Sequence, residues 1–337
     1  MKNQKHIVFT GGGTLGHVMP NIPLIEHYQS KGWQVSYIGS KSGVERSKIE
    51  ALNISYYPVR TGKLRRYFDF QNFIDIFNVL IALTQCFYIL LKLRPTVLFS
   101  KGGYVALPPV FAAWLLRIPS VIHESDMTPG LTTKLCKRFA RKICISFQNA
   151  VAYFNSNRVI WTGLPVRRLV FLAERIKGLS VSGFDGTRPV LLVFGGSLGA
   201  DFLNQITRKN IINGNLDDYD VVNVCGKGQL DPSFEAPNYR QIESLENDFL
   251  HVMKSSDIVI TRGGATSLFE LLAMQKLHIV IPLSKKSSRG DQIDNAKYFA
   301  QLGVSSYIEE DDYSWLNLKN LITSTLTNKH TILSRMQ

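Results

Sequence analysis

Seven consecutive residues near the start of the chain, Gly11-Gly12-Gly13-Thr14-Leu15-Gly16-His17, combine a glycine turn with a histidine. Their spacing fits G-x-G-x-x-G directly after the apolar run Ile7 to Thr10. There, glycine permits tight backbone curvature, and the N–H groups at the start of the following helix attract phosphate. The obvious ligand of such a turn is a dinucleotide. The second apolar run, however, ends Tyr37-Ile38-Gly39-Ser40-Lys41, without the acidic residue that would grip a ribose. NAD is therefore disfavoured, while NADP, with Lys41 or Arg46 near a phosphate, stays open. His17 reads as part of the first turn of the following helix, where the positive end of the helix dipole favours a neutral imidazole. A neutral imidazole suits a general base; the alternative is a histidine that caps or packs at the turn.

Further glycine turns follow other apolar runs: Lys101-Gly102-Gly103-Tyr104, Gly195-Gly196-Ser197-Leu198-Gly199 and Arg262-Gly263-Gly264-Ala265-Thr266-Ser267. Each alone is explained by a tight strand-to-helix turn. Together they exceed what one dinucleotide needs, and a diphosphate on each side of a cleft would use them. Glu270 follows on a helix, where an ionised carboxylate can accept from two ribose hydroxyls or can simply be solvated. Arg289 to Ala296 crowds polar groups into a loop and helix start suited to sugar hydroxyls, or to a helix capped by Asp291.

The elements that must position these residues are strands alternating with helices. Apolar runs at Ile7–Thr10, Val35–Gly39, Val97–Ser100 and Val121–His123, then Val190–Phe194, Val221–Val224, Ile258–Thr261 and Ile279–Pro282, are followed by helix-like segments. That alternation predicts parallel sheets covered by helices. A length of 337 residues fits two domains of roughly 150 residues each, and the two glycine-opening halves make both Rossmann-like. The boundary is placed at 164/165, within Gly163-Leu164-Pro165-Val166-Arg167. Ligands of open α/β sheets bind beyond the carboxyl ends of strands, so two such domains facing one another would form a cleft.

A 45% hydrophobic fraction excludes disorder and fibrous repeats. The four cysteines, Cys86, Cys136, Cys144 and Cys225, form no CxxC pair, which suits reduced thiols and predicts no structural metal. The apolar run before the first glycines is too short for a signal peptide, so a cytoplasmic protein is expected. A net charge of +13 attracts polyanions of any kind. Arg60 to Arg66, with Lys63, Arg65 and Arg66 as its charges nearest the following helix, precedes the apolar stretch Phe73–Leu93. Asp75, Asn78, Thr84 and Gln85 interrupt that stretch and argue against a spanning helix. It reads as a core helix, as a surface docking on an anionic membrane, or as both on different faces.

The ordered set of Gly11–His17, Ser100–Val105, His123-Glu124-Ser125-Asp126 with Pro129-Gly130-Leu131, Gly163–Arg167, Gly195–Gly199, Arg262–Glu270 and Asp291–Ala296 resembles the MurG family. These bacterial transferases add N-acetylglucosamine to the undecaprenyl-linked muramyl-pentapeptide precursor of peptidoglycan. The resemblance spans nearly the whole chain. It implies a GT-B fold, UDP-N-acetylglucosamine as donor, no cofactor or essential metal, and inversion to a β-1,4 link. It implies that the second domain holds the donor, with Ser197 near the diphosphate. Ala265, Thr266, Ser267, Leu268, Phe269 and Glu270 would then lie around nucleoside and phosphate, and Asp291 and Gln292 on the sugar. Thr14, Leu15, Gly16 and Arg167 would contact the donor from the other side. His17 becomes the favoured base, with Glu124 second.

The implied partners are the donor, a lipid-linked acceptor and an anionic membrane surface, not nucleic acid, at the cytoplasmic face of the cell membrane. This chain departs from the family pattern at Asp126, where asparagine is frequent; a carboxylate there repels phosphate unless it bonds a hydroxyl or amide. Leu15 stands where glycine is frequent. The chain ends at Gln337, earlier than members whose last helix crosses back, which implies looser domain closure. A related transferase with another acceptor, a UDP-sugar epimerase and a binding protein without turnover are the competing readings.

Overall fold

His6–Thr10 forms β1, buried along its whole length, as a parallel strand covered on both faces must be. A computed structural model describes residues 4–62, 71–154, 157–196, 199–246 and 248–337, with the side chains of 71–76 excepted. Within it the chain divides into two units, Met1–Arg167 and Arg168–Gln337.

In the first unit β1 is joined by β2 (Gln34–Ser40), β3 (Ser55–Val59), β4 (Val97–Ser100), β5 (Ser120–Glu124), β6 (Lys142–Ile145) and β7 (Val159–Trp161). They form one parallel sheet in the order β3-β2-β1-β4-β5-β6-β7. The helices are α1 (Asn21–Ser30), α2 (Glu45–Glu50), α3 (Gln71–Leu93), α4 (Leu107–Leu115) and α5 (Leu131–Cys136). Strand order reverses between β1 and β4, the position at which open α/β sheets bind ligands. Thr10 lies opposite Ser100 in register, and the Lys101 N–H continues the ladder to Thr10 O at 2.9 Å. Both glycine turns of this unit therefore leave the sheet side by side.

Helix α3 has two faces. Ala82, Cys86 and Leu90 are buried at helical spacing, and α4 packs against it. Phe77, Leu80, Ile81, Tyr88 and Leu91 are exposed on the other side, with Trp114 of α4 also exposed. No helix among the described residues is long and apolar enough to cross a membrane.

The second unit repeats the plan. Its strands are β8 (Val190–Phe194), β9 (Asp220–Val224), β10 (Tyr239–Ile242), β11 (Ile258–Thr261), β12 (His278–Val280) and β13 (Ser306–Tyr307). They are parallel in the order β10-β9-β8-β11-β12-β13, reversing between β8 and β11. Its helices are α6 (Leu169–Leu172), α7 (Arg175–Ser182), α8 (Asp201–Ile212), α9 (Phe249–Ser255), α10 (Ala265–Ala273), α11 (Asp291–Gln301), α12 (Trp315–Thr327) and α13 (Lys329–Arg335). Leu191, Val193, Val221, Ile258, Ile260 and Ile279 fill the core between sheet and helices.

Candidate active site

The turn after β1 leads into a short 3-10 turn, Leu15–His17, with Thr14 before it. Helix α1 starts only at Asn21, so His17 closes the 3-10 turn instead of opening a helix, and the expected dipole effect of α1 on it is reduced. The turn is held from below. Asn21 Nδ2 donates to His17 O at 3.4 Å and to the Tyr37 hydroxyl at 3.1 Å, and that hydroxyl donates to Gly11 O at 2.7 Å. Thr14 and Gly16 are exposed, whereas the Leu15 side chain packs on the core of the unit. The His17 ring lies against the second glycine turn. A Cβ on Gly103 would stand 3.0 Å from His17 Cδ2 and 2.0 Å from Gly12 O, and with φ at +78° this position takes glycine alone.

The glycine turn of this unit is not an empty phosphate cradle. Glu45, fully buried at the start of α2, accepts the Gly13 N–H at 3.3 Å, the Ser40 N–H at 2.9 Å and the Ser40 hydroxyl. The Gly13 donor of the turn is thus already taken by a carboxylate of the chain. Of the two cations considered for a phosphate, Arg46 is paired with Glu50 at 2.8 Å, and its Nη1 donates to Lys41 O.

At the ends of β4 and β5 lies a buried polar cluster. Lys101 Nζ donates to His123 Nδ1 at 2.9 Å and to the Ser125 hydroxyl, while His123 Nε2 meets Gly163 O at 2.9 Å. Burial pushes the Lys101 ammonium down to about 8, against the opposing pull of Glu124 and Asp126. Burial, aided by the Lys101 charge, holds His123 well below the ordinary histidine value. Glu124 uses both carboxylate oxygens to fasten the next loop, Oε1 accepting Asp126 N–H and Oε2 accepting Gly130 N–H, each at 3.1 Å. Asp126 is half-buried beside this cluster, and Arg167 is half-buried at the last position of the unit.

In the second unit, Gly263 marks a close backbone approach. A Cβ there would lie 2.4 Å from Gln292 O. Gln292 Oε1 accepts the Gly263 N–H at 3.3 Å and the Leu283 N–H at 3.0 Å, and Asn295 Nδ2 donates to Gly263 O at 3.0 Å. Fixing the amide oxygen in this way leaves the Gln292 side-chain NH₂ to act as a donor. No side chain caps α10, whose N-cap is Gly264. The first backbone donor to find a partner inside α10 is Leu268 N–H, on Gly264 O at 3.1 Å, so the Ala265, Thr266 and Ser267 amides form a helix start of the kind that binds anions. Glu270 is buried on α10, and Leu268 is fully buried. Phe269 sets its ring edge-on to Phe299 at 5.4 Å.

Asp291 is the first residue of α11 and pairs with Arg289 at 3.3 Å. The cap open to it in the sequence is taken by Gly290, in the left-handed conformation at φ 82°. Arg262 is buried and directs its charge at Glu310, 2.6 Å away, and at Ile281 O. Ser197, Lys63, Arg65 and Arg66 lie outside the described residues. No group of three or more His, Cys, Asp or Glu among the described residues could hold a metal ion.

Two family models match this chain. Residues 7–145 match the glycosyltransferase family 28 N-terminal domain, and residues 190–337 match the C-terminal domain of the same family. The chain belongs to glycosyltransferase family 28. It is similar to proteins named UDP-N-acetylglucosamine--N-acetylmuramyl-(pentapeptide) pyrophosphoryl-undecaprenol N-acetylglucosamine transferase. One, from Clostridium tetani, is 45% identical over 92% of this chain and 87% of its own. Another, from Clostridium kluyveri, is 42% identical over 99% and 94%, and a third, from Legionella pneumophila, is 46% identical over 90% and 84%. Among solved structures, Acinetobacter baumannii MurG shares the fold with a TM-score of 0.73 at 23% identity, covering 99% of this chain and 93% of that one. The glycosyltransferase of kitacinnamycin gives 0.76 at 16% identity, with the same coverage. The family 28 chain is thus a glycosyltransferase with a parallel α/β sheet in each of two units.

Of the residues singled out in the sequence, the first unit brings His17 against the Gly102-Gly103 turn, and the second joins Gln292 to the Gly263 turn. Glu45, Asn21 and Tyr37 were missed, being single residues outside any glycine motif. The signal that could have found Glu45 is its place five residues beyond Ser40, just past the strand end where an acid was sought.

Proposed function

We propose that this family 28 glycosyltransferase moves N-acetylglucosamine from UDP-N-acetylglucosamine to the undecaprenyl-pyrophosphoryl-muramyl-pentapeptide acceptor, inverting the anomeric carbon to give a β-1,4 link. The observation that carries this reading is the 41–46% identity, over nine-tenths or more of the chain, to relatives bearing that activity in their names.

The second unit suits the donor. The uncapped start of α10 offers backbone N–H groups to the diphosphate, the buried Glu270 carboxylate accepts from ribose hydroxyls, and the fixed Gln292 amide donates to the sugar, with Asp291 beside it. Ser197 is assigned to the diphosphate by the family pattern. In the first unit His17 is the base. Glu124 is disfavoured because both its oxygens already serve the loop backbone. His17 removes the proton of the acceptor hydroxyl, the hydroxyl oxygen bonds to the anomeric carbon, and the bond to UDP breaks with its electron pair passing to the diphosphate. Backbone N–H groups aimed at that developing charge lower the barrier without a covalent intermediate. Thr14, Gly16 and Arg167 are placed with the substrates, and Asp126 is reserved for a hydroxyl or amide.

The acceptor is a membrane lipid, and the exposed apolar face of α3 with Trp114 suits a peripheral position on an anionic membrane. The test is transfer of labelled N-acetylglucosamine from the UDP donor to authentic lipid-linked acceptor by the purified protein. Transfer to that acceptor is expected; release of free epimerised sugar, or transfer only to an unrelated acceptor, contradicts the proposal.

A further inference from the structure

We infer that Lys101 is a positioning residue for the transfer: it holds His123 at Nδ1 and the Ser125 hydroxyl, and so ties the loop after β5 and, through His123, Gly163 to the strand end that walls His17. The hydrogen-bond inventory sets the tautomer. Gly163 O can only accept, so the His123 nitrogen 2.9 Å from it carries the proton. Nδ1 is then a bare lone pair, and it is met at 2.9 Å by an ammonium that can only donate. The same Nζ reaches the Ser125 hydroxyl, at the start of the loop that Glu124 fastens at Asp126 and Gly130.

Lys101 is 1% exposed and His123 3%, so the pair is shielded from bulk solvent. Immediately after Lys101 come Gly102 and Gly103, against which the His17 ring rests. One buried cation thus joins the end of β4, which carries the wall behind His17, to the loop after β5 and, through His123, to Gly163 just past β7. A cation buried for stability alone would be a poor choice, because a well-packed apolar side chain in such a place is often neutral or stabilising. The lowered proton affinity of Lys101 records that cost.

The inference rests on His17 as the base, and its first test does not depend on turnover. In long-range ¹H–¹⁵N spectra of the full chain carrying ¹⁵N-histidine, wild-type His123 should show a protonated Nε2 and an unprotonated Nδ1. Lys101→Met, close in volume, should keep the proton on Nε2, which Gly163 O holds, but shift the Nδ1 resonance as its donor is lost, and lower kcat roughly 10- to 100-fold while the donor KM stays within about twofold. An Nδ1–H tautomer in the wild type overturns the inference, and so does K101M with either the wild-type Nδ1 resonance or the wild-type kcat. If K101M does not fold, Ser125→Ala takes its place: a several-fold lower kcat at unchanged donor KM is expected, and an unchanged kcat overturns the inference. Should His17→Ala retain turnover, the reading of the base fails, while the His123 spectra still decide the tautomer.

Discussion

The Glu45 carboxylate accepts the Gly13 N–H at 3.3 Å, so the glycine turn of the first unit already holds an anion from its own chain. Its other oxygen takes the Ser40 N–H and hydroxyl. Removing the carboxylate strands buried donors, so Glu45→Ala should lower unfolding free energy by about 2–4 kcal/mol, measured by urea denaturation. Inorganic phosphate should stabilise E45A more than the wild type, because the vacated donors suit an anion. Equal stabilisation of both proteins would contradict this account of the turn.

Gln292 has two separable duties. Its oxygen fixes the Gly263 and Leu283 backbones, and its NH₂ is assigned to the sugar. Gln292→Glu keeps the acceptor and removes the donor. The variant should fold with a near wild-type urea midpoint and raise the KM for UDP-N-acetylglucosamine at least about tenfold, the loss of one good hydrogen bond to a ligand. An unchanged KM removes Gln292 from the sugar site.

Much of the frame was legible because buried parallel strands are written as continuous apolar runs: β1, β8 and β11 each read directly. Among the strands that escaped, three lack that mark. β3 is Ser-Tyr-Tyr-Pro-Val with one buried residue, β6 opens on an exposed lysine, and β7 lies largely exposed at the sheet edge. The site was legible as glycine turns and as a set of family motifs. What joins them was not: Lys101 and His123 stand 22 residues apart in different motifs and meet only because β4 and β5 are neighbours. Glu45 was hidden for a related reason, since a glutamate beginning a short helix looks solvated until the fold buries it.

Acid should destabilise the protein through its buried histidines. His6, His123 and His278 are each held below the ordinary value chiefly by burial, His278 at about 4. In the unfolded chain each binds a proton near 6.5. Below that pH the unfolded state carries more protons than the folded one, so this stability is complete above about pH 6.5 and is lost as pH falls. The urea midpoint should be lower at pH 5 than at pH 7, and His278→Gln should narrow the difference. A midpoint that does not fall contradicts the assignment of neutral buried rings.

Membrane docking divides into an apolar and a charged part. Replacing Phe77, Leu80 and Tyr88 together by serine should weaken binding to anionic vesicles at least about tenfold, with little change in salt dependence, since the lost contribution is apolar burial. Charge reversal at Lys63, Arg65 and Arg66 should instead weaken binding in a salt-sensitive way. Undiminished binding of the serine variant removes the α3 face from the proposal.

The central claim is a division of labour, with the proton handled in the first unit and the nucleotide sugar held in the second. Its most direct test is His17→Ala, measured twice on the same preparation: turnover with authentic lipid-linked acceptor, and UDP-N-acetylglucosamine affinity by calorimetry. Turnover should fall roughly 10²- to 10⁴-fold, the usual worth of a general base, with donor Kd within about twofold of wild type. Wild-type turnover in H17A, or a loss of turnover matched by an equal loss of donor affinity, would contradict it.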